Sequence, residues 1–267
     1  VVGLTDTFKI EFFNSPILAE FGIAMMRLFG PNMHAISFAY CLSFFTIFTL
    51  YRGRFVQAAL FFVLLFLCNA KGPLIVFFMV GVSWTAFQLF GTRLAYALSI
   101  VSAACYAIIG VLVGRQIGDY HVLGLTAGLY DFLSNPIGQG IGSGGNLSPL
   151  FTTIDWQAAQ SLGRTPFPVE SSVGVLMYQL GFFAFMLICS YLWLSWHLLK
   201  LAHHTRNSLH VAACFALVAI VANGLFQEEA YFAPLSLALF LALTGMILGA
   251  GIRSGIIGKT DTRSFPR

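Results

Sequence analysis

Residues 71–115 read KGPLIVFFMVGVSWTAFQLFGTRLAYALSIVSAACYAIIGVLVGR, two apolar runs (73–90 and 94–114) joined by a Gly-Thr-Arg turn, and their only charges are Lys71, Arg93 and Arg115. A hydrocarbon core about 30 Å thick takes about 20 apolar residues in a helix, and both runs come close to that. Five more runs lie outward of this pair, at 33–50, 55–69, 172–194, 209–226 and 235–252. The 55–69 run is short, so a tilted helix or half of a helical hairpin is expected there. Strands of a closed barrel alternate apolar and polar residues, whereas LFFVLLFL (60–67) and FMLICSYLWL (185–194) do not. The sequence therefore predicts an all-α polytopic membrane bundle of about seven spans.

Charge orients this bundle. Numbering the gaps between runs alternately puts Arg52, Arg54, Arg93, Lys200, Arg206, Arg253, Lys259, Arg263 and Arg267 on one side, nine of the fourteen Lys and Arg. Asp261 is the one acid with them, and the other nine acids fall on the opposite side. Excess Lys and Arg mark the cytoplasmic side of a membrane protein. The C-terminus is thus expected inside and the long 115–171 segment outside. The expected organisation is an interfacial lead-in (1–32), four spans (33–114), an outer loop (115–171), three spans (172–252) and a basic tail (253–267).

With 58% hydrophobic residues and a mean hydropathy of +0.84, a soluble fold is excluded as an expectation. The net charge of +4 belongs mainly to the inner loops, which argues for topology and against a nucleic-acid partner. All five cysteines lie within the runs and none forms a C-x-x-C pair, so they read as apolar packing residues. No signal peptide is visible, and the opening at Val1, already on the outer side, leads us to expect the C-terminal portion of a longer chain.

The outer loop carries its own pattern. LTAGLYDFLSNP (125–136) predicts a short helix stopped by Asn135-Pro136, and TIDWQAAQSLG (153–163) a second one closed by Gly163. Between them GQGIGSGGN packs five glycines into 138–145. These glycines, Gly140 and Gly142 among them, are either a flexible link or a backbone whose N–H groups hold an anion such as pyrophosphate. No P-loop signature accompanies them.

Candidate chemistry gathers on the same side. Glu170 precedes an apolar helix, so its carboxylate either caps that helix or serves as a base at the membrane surface. His121 is either a loop histidine or an acid/base group. Lys71 either snorkels at the boundary or points a cation into an outward cavity. With Arg115 and Arg164, which bracket the loop, it offers a three-cation trap for phosphate oxygens. Glu228 and Glu229 are either solvated or line a sugar groove. Ser171, Gly174, Tyr178 and Gly181 form a mostly small-residue stripe that suits close helix packing. His203 and His204 fit a solvated basic turn. No residue spacing suits a metal site, and no Ser-His-Asp arrangement is apparent.

Four segments, CNAKGPLIVFF (68–78), NPIGQGIGSGGN (135–146), ESSVGVLMYQLGFFAFML (170–187) and QEEAYFAPLSLALFLALTGM (227–246), together resemble the C-terminal portion of the O-antigen ligase/polymerase superfamily. Lys71 stands where that family usually has arginine. Ligases of the family commonly have His where this chain has Glu170, whereas polymerases often have Glu-Ser. Gln179 stands where many relatives have Glu. The resemblance thus implies a polymerase of O-antigen or exopolysaccharide units ahead of a ligase or protein O-oligosaccharyltransferase. A flippase or transporter without catalysis is the reading from another class, and the nearly charge-free spans weigh against it.

The resemblance further implies a GT-C-like fold in the bacterial inner membrane, acting on its periplasmic face without cofactor or metal. Donor and acceptor would be glycans on undecaprenyl pyrophosphate, with membrane lipid, a chain-length regulator and a flippase as partners. On this reading Arg164, Arg115 and Lys71, helped by Gly140 and Gly142, hold the pyrophosphate, and Glu170 or His121 activates the acceptor hydroxyl.

Overall fold

The computed structural model of the chain describes Leu28, Gly30, residues 34–149 and residues 153–256, the side chains of Trp156 and Gln160 excepted. The expected lead-in (1–32) lies almost wholly outside the described residues, as do residues 257–267 of the expected tail. Among the described residues all regular structure is helical.

Helices α1 (Ala35–Tyr51) and α2 (Phe55–Leu67) follow the first two apolar runs. Element α3 (Lys71–Ile117) contains the next two, and its helix breaks at Gly91, where φ is +77° and ψ is −175°. That break falls on the Gly-Thr-Arg turn, since a glycine adopts such a backbone without steric cost. The outer segment holds α4 (Tyr120–Ser134) and the short α5 (Trp156–Ser161). The 172–194 run is not one helix. It divides into α6 (Ser172–Leu180) and α7 (Phe182–Thr205) at Gly181, where φ is +55° and ψ is −128°. Then follow α8 (Ser208–Asn223), the single turn α9 (Glu229–Phe232) and α10 (Leu237–Arg253).

Among the described residues two helices, α3 and α7, are long and apolar enough to cross a membrane, while α1, α2, α8 and α10 are apolar but shorter. Nearly every residue of α8 is buried, and α3 and α7 are its main neighbours. Leu217 and Ile220 on α8 are fully enclosed, so truncating either to Ala should cost about 2–5 kcal/mol. Large apolar side chains nevertheless stand outward along α2, α3, α7 and α10, among them Val56, Leu89, Leu112, Phe183 and Met246. Hydroxyls within the helices satisfy themselves locally. Thr46 donates to Leu42 O at 2.7 Å and Thr49 to Phe45 O at 2.6 Å, the back-bonding an apolar helix needs when no water is near.

The bundle has two chemically distinct ends. At one, the Gly91 break meets the end of α7, where the Thr92 hydroxyl lies 2.6 Å from His203 Nδ1. The ring of Trp84 packs there against Tyr51 at the end of α1. At the other end, the start of α3, α4, the start of α6 and the 224–236 segment converge. Gly72 permits this closure: a Cβ there would lie 2.8 Å from Asn223 Nδ2 and 3.0 Å from Gln227 Cγ. Asn223 is fully buried and accepts from Tyr106 Oη at 3.0 Å.

Candidate functional site

The site is built where α4 is pressed onto the start of α6. Gly124 and Gly128, one turn apart on α4, let the two backbones touch. A Cβ on Gly124 would lie 2.8 Å from Val169 N and closer still to Val169 O, and one on Gly128 would lie 2.6 Å from Gly174 Cα. Gly174, from the small-residue stripe, is thus a packing residue, and its partner is the Gly-x-x-x-Gly of α4. The helix also begins five residues earlier than expected from LTAGLYDFLSNP, because Asp119 caps it: Oδ1 accepts from His121 N at 2.9 Å.

This packing brings His121 to Glu170 across 49 residues of sequence. The Nδ1 of His121 lies 2.9 Å from Glu170 O and 3.5 Å from Glu170 Oε2. A carbonyl oxygen can only accept, so Nδ1 is the donor in this bond and the neutral ring, in that tautomer, has its lone pair on Nε2. That Nε2 lies 3.5 Å from Gln227 Nε2.

Glu170 itself has φ of +56°, a left-handed backbone that strains a residue with a Cβ by about 1–3 kcal/mol. Both of its backbone groups are held. Its N–H donates to Glu228 Oε2 at 3.2 Å and its carbonyl accepts from His121. Helix capping is not its task. Ser171 caps α6, its Oγ accepting from Gly174 N at 3.0 Å and donating to Leu225 O at 2.8 Å. The Ser172 hydroxyl lies 2.7 Å from the carbonyls of both Gln227 and Glu228, so the Glu-Ser-Ser stretch is tied to the segment after α8. Burial raises the Glu170 pKa above the usual carboxylate range. His121 opposes that rise, and Glu229 and Asp119 add to it.

His121 and Lys71 line one cavity of about 460 Å³, together with Asp119 and Gln227. Its remaining wall is apolar, with Ile109, Val113, Ile117 and Phe226 among its residues. Lys71 opens α3, so its cation sits at the positive end of a helix. A lining that joins these polar side chains to a largely apolar wall suits an amphiphile.

The three expected cations are not gathered. Arg115 is exposed on the last turn of α3 and is not among the residues lining this cavity. Arg164 lines a second cavity of about 480 Å³ on the other flank of α4, formed by Leu123, Thr126, Tyr130 and Asp131 of that helix with Thr165 and Tyr178. The helix stands between them, so Lys71 and Arg164 face different spaces.

The glycine segment is a clamp. The break at Gly181 orphans the last carbonyls of α6, and the loop supplies their donors: Gln139 N to Tyr178 O at 2.8 Å and Gly140 N to Gln179 O at 3.0 Å. The Gly140 N–H is therefore spent internally and does not face an anion. Gly140 and Gly142 have φ of +98° and +87°, with open space on the Cβ side, so conformation is what requires glycine there. Gly138 differs, since a Cβ there would lie 2.5 Å from Gln179 O.

Two residues matter more than their sequence context suggested. Gln179 donates from Nε2 to Gly144 O at 2.9 Å, a bond that glutamate could not make. Glu228 is buried and accepts from Asn146 N with both oxygens, at 3.1 and 3.0 Å, besides holding Glu170 N. Burial pushes its pKa up to about 7, against the pull of the Asn146 and Glu170 N–H groups. The pair Glu228-Glu229 was its visible signal, but nothing local reveals a partner 82 residues away. Glu229 instead faces His34, with Oε1 3.8 Å from Nε2.

No protein-family model matches the chain, and no curated protein or solved structure does either.

Proposed function

We propose that the chain is a seven-span, GT-C-like membrane glycosyltransferase that joins undecaprenyl-pyrophosphate-linked repeat units into O-antigen or exopolysaccharide at the periplasmic face of the bacterial inner membrane. The observation that carries this reading is the His121–Glu170 pair beside the Lys71 cavity, at the end of an apolar bundle opposite the basic turns. The outward apolar side chains support membrane embedding, because soluble monomers rarely expose large continuous apolar patches. Gly91 and the end of α7 then face the cytoplasm, and α4, α5 and the glycine clamp face the periplasm.

In the reaction, the acceptor hydroxyl gives its proton to His121 Nε2 as its oxygen bonds to the anomeric carbon of the donor. The anomeric carbon–oxygen bond to phosphate breaks on the opposite face, and the pyrophosphate leaves with the electron pair. Glu170 fixes the ring through its carbonyl, and its carboxylate 3.5 Å from Nδ1 stabilises the imidazolium that forms. Lys71 and the start of α3 offset the charge growing on the leaving group. The apolar wall of the cavity receives the first isoprene units.

Complementation of a polymerase-null strain tests this. The wild-type gene should restore a glycan ladder, and His121→Ala at equal expression should collapse it to single repeat units. A ladder unaffected by His121→Ala would refute the assignment of the base, and preassembled chains transferred to another acceptor would identify a ligase.

A further inference from the structure

We infer that the second cavity, between α4, the Gly163–Pro166 segment and Tyr178, is a saccharide-binding subsite separate from the Lys71 cavity. Its volume of about 480 Å³ falls within the range of small-ligand pockets, about 300–1,000 Å³. Its chemistry is that of a ligand with many hydroxyls and apolar ring faces. Tyr130, 72% exposed, and Tyr178 supply aromatic surfaces whose negative faces suit the C–H face of a sugar ring. Asp131 is anchored through Oδ1, which accepts from Gln139 Nε2 at 3.1 Å and Asn135 Nδ2 at 3.3 Å. Its Oδ2 is shielded and has no hydrogen-bond partner among the described residues, and neither has Oγ1 of Thr165, a residue only 5% exposed. Shielded polar atoms almost always have partners, so two orphans on one cavity point to a ligand that supplies them.

A sugar hydroxyl can donate to Asp131 Oδ2 and accept from Thr165 Oγ1 or the exposed Arg164. A phosphate would meet the Asp131 carboxylate with a single arginine to offset it, which disfavours an anion here. Thr126 competes for no ligand bond, since its hydroxyl already lies 2.8 Å from Leu123 O. The same α4 that carries His121 into the first cavity lines this one on its other flank. The source of a glycan seated here rests on the transfer reading above. The chemistry of the subsite does not.

Saturation-transfer NMR on the full chain in nanodiscs, with a panel of free hexoses and N-acetylhexosamines as probes, tests the inference. At least one probe should bind. Tyr130→Ala should weaken it about two- to tenfold, the loss of one aromatic contact. Asp131→Asn, which keeps an acceptor for Gln139, should weaken it about tenfold or more. Lys71→Ala should leave it unchanged. Binding by no probe, or binding indifferent to both the Tyr130 and Asp131 substitutions, overturns the subsite. Lipid-linked transfer measured on the same samples separates the two ideas. Transfer without such binding sinks the subsite alone, whereas binding that obeys the substitutions without any transfer keeps the subsite and sinks the transfer reading.

Discussion

Gly124→Ala should disable the site without touching any of its polar groups. The added methyl carbon would lie 2.8 Å from Val169 N, 2.9 Å from Val169 C and nearer still to Val169 O. All three are backbone atoms that cannot rotate away. Carbon contacts settle near 3.5–4.0 Å, so α4 and the Val169–Glu170 segment must part by roughly 1 Å. The His121 Nδ1–Glu170 O bond of 2.9 Å then passes the ~3.6 Å at which it ceases to be one. Such overpacking costs about 1–3 kcal/mol of stability. A displacement of about 1 Å in a reacting group costs on the order of 100-fold in rate. The assay is the rate of glycan ladder growth at matched expression, with thermal stability read in detergent. A stable variant that extends glycan at the wild-type rate would refute the claim that this glycine contact positions the base.

Further outcomes follow from the same contacts. Glu228 has its pKa raised from 4.5 to about 7 in the folded chain, so between those values the folded state binds the extra proton. Its contribution to thermal stability should therefore be complete below about pH 4.5 and be lost as pH rises through 7, and Glu228→Gln should flatten that slope; an unchanged slope contradicts the assignment. Gln179→Glu removes the donor to Gly144 O and should lower stability by about 1–3 kcal/mol, measured as a fall in melting temperature. In whole cells, an impermeant thiol reagent should label Ser134→Cys and spare Arg54→Cys, both in a background free of the exposed Cys105 and Cys189. Labelling of both, or the reverse, contradicts the proposed sidedness.

The helices were legible because their ends are written locally. Charges and glycines bound the apolar runs, and the Gly91 break coincides with a Gly-Thr-Arg turn. The break at Gly181 was not, because Phe182 and Phe183 continue the apolar run and hide a change in backbone direction. Site residues were legible by type and only partly by grouping. His121 and Glu170 offered themselves as alternatives for one role, and the packing of Gly124 and Gly128 joins them as a pair. Lys71 and Arg164 carry the same charge on the same end of the bundle, yet α4 separates them, and no spacing along the chain encodes that. Glu228 was hidden by its setting, since a paired acid after an apolar run looks solvated until the glycine clamp folds over it.

The most direct measurement is reconstitution of the full chain in vesicles with an undecaprenyl-pyrophosphate-linked repeat unit, following lipid pyrophosphate release and glycan length together. The account predicts one pyrophosphate released for each unit added, with both lost on the order of 100-fold or more in His121→Ala. Chain growth without pyrophosphate release, or both proceeding unchanged in His121→Ala, would contradict it.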